Sequence, residues 1–231
     1  MVNKEVGNAD EAVSDVEDGA IIMVGGFGPA GQPTELIDAL IRRKPQGLTL
    51  ISNNAGNGDY GLAALLKAGC VNKIICSFPR QADSWVFDEL YRQKKIELEL
   101  VPQGNLVARI QAGGSGLGAI FTPTGYGTQL AEGKETRLID GRHYVLESPL
   151  TAHFSLIKAQ RGDRWGNLTF NKTGRNFGPI MAAASRCTIA EISELAPLGA
   201  LDPEAVITPG IYVSRIVHVP VVQTHLIAQG A

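Results

Sequence analysis

The segment Asp18-Gly-Ala-Ile-Ile-Met-Val-Gly-Gly-Phe-Gly-Pro-Ala-Gly-Gln-Pro33 decides the fold. Its apolar run at 21–24 has the length of a buried strand, and the next seven residues, 25–31, hold four glycines. Pro33 then precedes a stretch whose apolar residues recur with helical spacing. Proline is favoured in the first turn of a helix because its missing N–H needs no partner there. The segment therefore predicts a strand, a glycine-rich loop and an amphipathic helix packed on a sheet.

The same alternation continues through residue 122. Apolar runs predict strands at 48–52, 73–78, 97–101 and 119–122, and amphipathic patterns predict helices at 9–16, 62–68, 85–94 and 106–112. Continuous apolar strands that alternate with helices indicate a parallel sheet covered on both faces. We therefore expect an α/β fold with an open, mostly parallel sheet flanked by helices.

The second half of the chain differs in composition. A loop rich in Gly, Thr and Tyr occupies 123–133, a helix is expected at 179–185, and strands are expected at 143–146, 156–159, 188–192 and 211–218. The three prolines of 197–209 are typical of an irregular connection. No repeat or low-complexity linker separates the two halves. We expect residues 1–231 to form a single domain whose elaborated second half adds further strands.

Composition excludes several classes of protein. Lys and Arg number 21 against 23 Asp and Glu, so the chain lacks the positive charge of an electrostatic nucleic-acid binder. The apolar fraction of 44% argues against disorder. No apolar run approaches the ~18 residues of a membrane span, and no apolar leader is visible. The three cysteines lack disulfide or zinc spacing, so we expect no metal and a reduced, cytoplasmic protein.

The loop at 25–31 has more than one interpretation. Gly26-Phe-Gly28-Pro-Ala-Gly31 fits the GxGxxG pattern of dinucleotide-binding loops. That site also needs an acidic residue after the second strand, where this chain has Asn53 and Asn54. Pro29 removes a backbone donor that a phosphate would use. These features argue against NAD or FAD, and a simple tight turn would need only one or two glycines.

Further motifs follow in order along the chain: Ile-Ser-Asn-Asn-Ala-Gly at 51–56, Pro-Gln-Gly at 102–104, Ala-Gly-Gly-Ser-Gly at 112–116, Thr-Pro-Thr-Gly-Tyr-Gly-Thr at 122–128 and Arg-Asn-Phe at 175–177. Together with 18–33, they resemble the α subunits of the family I CoA-transferases, the 3-oxoacid type. The stretches 76–84 and 162–168 are most similar to the branch of this family that serves 3-oxoadipate in the breakdown of aromatic compounds. Similar subunits serve acetoacetate and other short-chain acids.

The resemblance implies an enzyme that moves CoA from succinyl-CoA to a 3-oxo acid by ping-pong kinetics, through a glutamyl-CoA thioester. It implies no tightly bound cofactor, since CoA and acyl-CoA are substrates. In this family the nucleophilic glutamate lies in a Ser-Glu-Asn-Gly motif of a separate β subunit, and this chain has no such motif. We therefore expect no catalytic residue here and a β-subunit partner, in an α2β2 complex. Glu147, Glu191 and Glu194 are better interpreted as paired or solvated carboxylates.

Family roles carry over to the matching positions. The CoA-binding loop would consist of Gly25, Gly26, Phe27, Gly28, Pro29, Ala30 and Gly31. The substrate side of the site would be lined by Asn53, Asn54 and Gln103, whose amides either stabilise an oxyanion or orient the bound acid. Arg80 and Arg109 are candidate partners for a second carboxylate, although a surface or structural role is the favoured interpretation of each. Tyr126 either donates a hydrogen bond or packs.

A protein of another class stays open at this point. Similar α/β folds serve as small-molecule-sensing effector modules of sugar-responsive regulators. Such a regulator needs attached DNA-binding helices, and the short segment before Ile21 leaves no room for them. We therefore expect the enzyme subunit.

Overall fold

The computed structural model describes residues 2–220. Its strands are β1 (Glu5–Val6), β2 (Ile21–Val24), β3 (Leu48–Ile51), β4 (Val71–Cys76), β5 (Glu97–Leu100), β6 (Ile120–Thr122), β7 (Thr136–Ile139), β8 (Arg142–Glu147), β9 (Ala152–Asp163), β10 (Leu168–Thr169), β11 (Ser185–Ala196) and β12 (Arg215–His218). Its α-helices are α1 (Ala9–Ala12), α2 (Thr34–Arg43), α3 (Leu62–Lys67), α4 (Trp85–Arg92), α5 (Gln103–Gly114) and α6 (Gly178–Ala183). No helix within the described residues is long and apolar enough to cross a membrane.

Nine strands form one sheet in the order β1-β12-β11-β9-β2-β3-β4-β5, with β10 paired to β9. Every pair along this order is parallel, and only β10 is antiparallel. The predicted open, mostly parallel α/β sheet is confirmed. Strands β9, β11 and β12 extend it beyond β2, while β6, β8 and β7 form a small antiparallel sheet of their own.

The core lies on both faces of the main sheet. Successive side chains of a strand point to opposite faces. Ile22, Leu50 and Ile74 therefore join one buried apolar cluster with α2 and α3. Their neighbours Met23 and Ile51 belong to the other cluster, which includes residues of α5 and α6. A sheet covered on both faces explains why the strands of the first half are continuously apolar in sequence.

Several predicted strands differ from the observed ones, and β11 (Ser185–Ala196) is longer than the predicted 188–192. The predicted strand at 211–218 is wrong over its first half, where Gly210–Tyr212 forms a 3-10 turn and Ile211 is 82% exposed. In contrast, β9 is much longer than the predicted 156–159 and continues over Arg161, whose charge is paired across the sheet just as that of Lys158 is. Lys158 Nζ lies 2.7 Å from Glu191, and Arg161 Nε lies 2.9 Å from Glu194, both on β11.

The parallel register brings the candidate loops together. Because β2, β3 and β4 run side by side in one direction, the segments that follow them leave the same edge of the sheet. Ligands of open α/β sheets bind outside this carboxyl edge. The loop at 25–31, hereafter the glycine loop, therefore lies beside Asn53 and Ser77.

Gly31 supports a stability prediction. Its φ is +71°, and an added Cβ would collide with the carbonyl oxygen of Gly174 and with Asn176 Nδ2. Gly69 has a similar φ of +78° but no atom within 4 Å of an added Cβ. Left-handed backbone costs a non-glycine residue ~1–2 kcal/mol, and overpacking adds ~1–3 kcal/mol. We expect Gly31→Ala to lower the free energy of unfolding by about 2–5 kcal/mol and Gly69→Ala by about 1–2 kcal/mol in urea titrations. Equal losses would contradict the close approach at Gly31.

Candidate functional site

The glycine loop is held in place by Asn176, a residue 150 positions away from Gly26 in the chain. Gly26 N–H donates to Asn176 Oδ1 at 3.0 Å, and Asn176 Nδ2 donates to the carbonyl oxygen of Ala30 at 3.0 Å. The loop also closes on itself, since Phe27 N–H donates to the Ala30 carbonyl oxygen at 3.0 Å. Asn176 belongs to the Arg-Asn-Phe motif, and sequence reasoning assigned it no role.

A cavity of about 580 Å³ opens at the tip of this loop, hereafter the large cavity, in contrast to a space of about 10 Å³ beside Asn54. Its lining residues come from four segments at the carboxyl edge: Phe27, Gly28, Asn53, Ser77, Phe78, Arg80, Gln81, Ala82 and Gln103. Of the residues predicted for the site, four meet here, namely Phe27, Gly28, Asn53 and Gln103. Phe27 and Phe78 are both more than half exposed, so apolar rings border an open cavity. The remaining residues of the glycine loop do not line it.

Asn53 is the centre of a hydrogen-bond network in this cavity. Its Oδ1 accepts from Ser77 Oγ and from Gln103 Nε2, each at 2.8 Å. These two donors fix the orientation of the amide, because a carbonyl oxygen accepts and the NH₂ group donates. Within residues 2–220, Nδ2 of Asn53 makes no hydrogen bond, which leaves it as a donor for a ligand. Ser77 is a site residue that the sequence analysis missed.

Asn54 lies behind the glycine loop rather than in the large cavity. It is buried, and its Oδ1 accepts from Gly56 N–H at 2.9 Å. Its Nδ2 is buried without a hydrogen-bond partner and borders a space of about 10 Å³ beside Pro29 and Gln32. A space of this size is near the smallest that holds one water molecule. The two neighbouring asparagines thus occupy different environments.

The two candidate arginines, Arg80 and Arg109, also occupy different environments. Arg80 lines the cavity, with Nε 2.6 Å from Asp88 Oδ1 and a side chain that is 63% exposed. Arg109 is distant from the lining and only 11% exposed, with Nη1 3.0 Å from Glu99 Oε1. Burial acts to raise the pKa of Glu99, but hydrogen bonds from Arg109 and Lys73 outweigh it, and the pKa lies below its ordinary value. Arg109 is therefore part of an internal ion-pair cluster.

Tyr126 lies in the loop that precedes the small antiparallel sheet. Its ring stacks on His143 with the centroids 4.3 Å apart and the planes nearly parallel. It does not line the large cavity. Of the two roles considered for Tyr126, packing is the one that its contacts support.

The three glutamates predicted to be paired or solvated are all paired. Glu147 lies 2.7 Å from Lys134 Nζ, and Glu191 and Glu194 pair with Lys158 and Arg161. Cys76 ends β4 just before the cavity, and burial raises the pKa of its thiol to about 12, so it is protonated at neutral pH and a poor nucleophile. The described residues contain no cluster of His, Cys, Asp and Glu that could hold a metal ion.

The N-terminus of α2, which follows the glycine loop, is already occupied. Its flanking residue Pro33 offers no side-chain cap. Instead, Glu35 N–H donates to the buried Glu191 Oε2 at 3.0 Å. A dinucleotide-binding fold presents this helix end to a phosphate. In this chain the Glu191 carboxylate occupies that helix end, which agrees with the argument against a dinucleotide.

The sequence is similar to known proteins over most of its length. The family model for coenzyme A transferase covers residues 6–219. The chain is 65% identical over 219 residues to a subunit of the 3-oxoadipate CoA-transferase of Acinetobacter baylyi, over 95% of this chain and 96% of that one. It is 50% identical over 202 residues to a subunit of the succinyl-CoA:3-ketoacid coenzyme A transferase of Xanthomonas campestris, over 87% and 83% of the two chains.

A solved structure shares the fold. An acyl-CoA transferase from E. coli O157:H7, crystallised as a thioester complex with CoA, superposes with a TM-score of 0.81 at 23% identity. The match covers 94% of this chain and 47% of that one, so this chain spans about half the length of the E. coli chain. Because the family model and both relatives extend over most of the sequence, this chain belongs to the coenzyme A transferase family.

Proposed function

We propose that this chain is the α subunit of a heteromeric CoA-transferase that moves CoA from succinyl-CoA to a 3-oxo acid, with 3-oxoadipate as the favoured acceptor. The observation that carries the proposal is the 65% identity, over nearly the full length of both chains, to a protein named as a subunit of 3-oxoadipate CoA-transferase. That name denotes one part of a larger enzyme.

The reaction needs a carboxylate nucleophile, which we assign to a separate β subunit. Attack of that glutamate on the succinyl-CoA carbonyl expels CoA thiolate and forms a mixed anhydride. The thiolate then attacks the glutamyl carbonyl and releases succinate, leaving a glutamyl-CoA thioester. The 3-oxo acid runs the same two steps in reverse, which regenerates the glutamate carboxylate. Covalent catalysis of this kind divides one exchange into easier steps.

Two observations support a nucleophile from outside. The large cavity has no carboxylate among its lining residues. The candidate glutamates of this chain are all engaged with lysine or arginine elsewhere in the fold. A glutamate that enters from a partner at the open side of the cavity would meet the acyl group there. The E. coli chain, which is about twice as long, leaves a comparable length of protein for the second half of an enzyme.

The residues of this chain would bind and orient the acyl group. The glycine loop would pack its open tip at Gly28 against the thioester or the pantetheine arm of CoA. Asn53 Nδ2, held in orientation by Ser77 and Gln103, would donate to an acyl oxygen. A donor aimed at a developing oxyanion is typically worth ~2.7–4 kcal/mol. Asn54 would contribute from behind the glycine loop, where its unpaired Nδ2 borders the water-sized space beside Pro29.

We extend the proposal to assembly and setting. The partner is a β subunit in an α2β2 complex, and residues 1–231 act as one domain within it. The described cysteines Cys70, Cys76 and Cys187 are free thiols, the state expected in a reducing compartment such as the cytoplasm. No tightly bound cofactor is needed, because the chemistry is carried by a carboxylate and by CoA itself.

A second candidate acceptor is acetoacetate or another short-chain acid. The 50% identity to a subunit of succinyl-CoA:3-ketoacid coenzyme A transferase favours it as the alternative. Both candidates share the donor and the mechanism and differ only in the acid that leaves with CoA.

The half-site proposal predicts how the isolated chain behaves. Purified alone, it should show no CoA transfer from succinyl-CoA to 3-oxoadipate, because it lacks the nucleophile. Activity should appear when the β subunit is added, as measured by formation of 3-oxoadipyl-CoA. Turnover by the isolated chain at the rate of the complex would refute the half-site proposal.

The glycine loop predicts a second result. Gly28→Asn places a side chain in the open space at the cavity mouth. The φ of Gly28 is +59°, and an added Cβ would have no neighbouring atom within 4 Å. Asparagine tolerates this backbone region better than most residues. We expect kcat/KM for succinyl-CoA to fall by about 10-fold or more, the loss for one or two disturbed contacts. The thermal unfolding midpoint should change little.

The matched control for this variant is Gly69→Asn. Gly69 has a φ of +78° and equally open surroundings, and it lies just before β4, at the opposite edge of the sheet. Its kinetics should match the wild type. If both variants kept wild-type kcat/KM, the glycine loop would not contact the acyl-CoA.

A further inference from the structure

The large cavity contains a single charged lining residue, Arg80. Its guanidinium is anchored at one point, because Nε lies 2.6 Å from Asp88 Oδ1 on α4. Within residues 2–220, its two terminal nitrogens make no hydrogen bond. Arg80 therefore presents two parallel donors from a held guanidinium, which is the geometry that a carboxylate accepts in bidentate fashion.

We propose that Arg80 binds the distal carboxylate of a dicarboxylic acyl group and thereby selects dicarboxylic over monocarboxylic 3-oxo acids. The inference rests on the proposed function and names the residue that determines its acceptor. The thioester end of the acyl group would lie at Asn53 and Gln103, and the second carboxylate would reach Arg80. A cavity of about 580 Å³ lies within the usual range for small-molecule sites and accommodates a six-carbon acid.

The other walls of the cavity suit a methylene chain. Phe27, Phe78 and Ala82 supply apolar surface in the cavity that also holds the amides of Asn53 and Gln103 and the guanidinium of Arg80. An acid with an apolar middle and an anion at each end matches this combination of surfaces. A monocarboxylic acid of equal length would place a methyl group against the guanidinium and leave its donors without the anion.

The surrounding charges favour an anion at this position. Arg80 also borders a second cavity, which is larger at about 950 Å³. The other charged residues that line it are three cations and two anions: Arg92, Lys94, Lys95, Asp88 and Glu97. With Arg80 included, the lining of this second cavity holds four positive and two negative groups. Arg109, the other candidate for this role, is engaged by Glu99 and by the Ser148 carbonyl oxygen and offers no comparable site.

Asp88 would be a positioning residue. It holds Nε and leaves the two terminal nitrogens for the acid, which Asp88 itself does not contact. Lysine at position 80 would keep the charge but lose the planar pair of donors. The Arg80→Lys variant therefore separates the contribution of charge from that of bidentate geometry.

The test uses the complete α–β complex with two acids that compete for CoA: 3-oxoadipate and 3-oxohexanoate, which has a methyl group in place of the distal carboxylate. In a ping-pong enzyme, both acids partition the same enzyme–CoA intermediate, so the product ratio does not depend on the succinyl-CoA step. The variants are Arg80→Gln and Arg80→Lys. Arg92→Gln is the matched control, because it removes a cation that lines the second cavity with Arg80 but does not line the large cavity.

We expect Arg80→Gln to lower the preference for 3-oxoadipate by about 10- to 100-fold, the usual value of hydrogen bonds to a charged group. The loss should come from the 3-oxoadipate rate, with the 3-oxohexanoate rate maintained. Arg80→Lys should fall between wild type and Arg80→Gln, and Arg92→Gln should stay within about twofold of wild type, as surface charges contribute little.

Other outcomes overturn the inference or the proposed function separately. An unchanged product ratio in Arg80→Gln, or an equal loss on both acids, would overturn the role of Arg80 while the transferase proposal stands. A wild-type complex that forms no 3-oxoadipyl-CoA would instead overturn the proposed acceptor. Because the Arg80 side chain is 63% exposed, its replacement leaves the core intact, and an unchanged unfolding midpoint confirms this.

Discussion

The close approach of Gly31 to Gly174, with Asn176 bonded to both ends of the glycine loop, is the constraint on which the site depends. The loop follows β2, and the segment at 174–176 follows β9 and β10, so the contact joins the first half of the chain to the second. Any side chain at position 31 would push these backbones apart. Held in this way, the tip at Phe27 and Gly28 stands beside Asn53 at the carboxyl edge, where a ligand has access.

Charge in this chain is largely kept away from the cavity. Glu191 pairs with Lys158 and accepts a hydrogen bond from the N-terminus of α2, and Arg109 pairs with Glu99. Glu191 and Arg109 therefore have structural roles. The cavity itself offers neutral amides, a hydroxyl, aromatic rings and one guanidinium. Such a surface would bind and orient a thioester and an acid but supplies no attacking carboxylate. The proposed division of labour between two polypeptides follows from this distribution of charge.

The strand–loop–helix unit at 21–43 and the parallel sheet are predictable from sequence, because buried strands are continuously apolar and the helices are amphipathic. The extent of β9 is not predictable, since Arg161, beyond the predicted end of the strand, is neutralised by Glu194 on β11, which lies 33 residues away. The site shows the same limit. Motif positions indicate Asn53 and Gln103, but the role of Asn176 depends on a contact across 150 residues, and only geometry distinguishes Arg80 from Arg109.

The most direct test of the account is to locate the covalent intermediate. The complex of this chain with its β subunit is incubated with succinyl-CoA and reduced with borohydride, which converts a glutamyl-CoA thioester to a primary alcohol and releases CoA thiol. Peptide mass spectrometry then identifies the modified residue. The account predicts the modification on a glutamate of the partner polypeptide, with every glutamate of this chain unmodified. A reduced glutamate in this chain would contradict it.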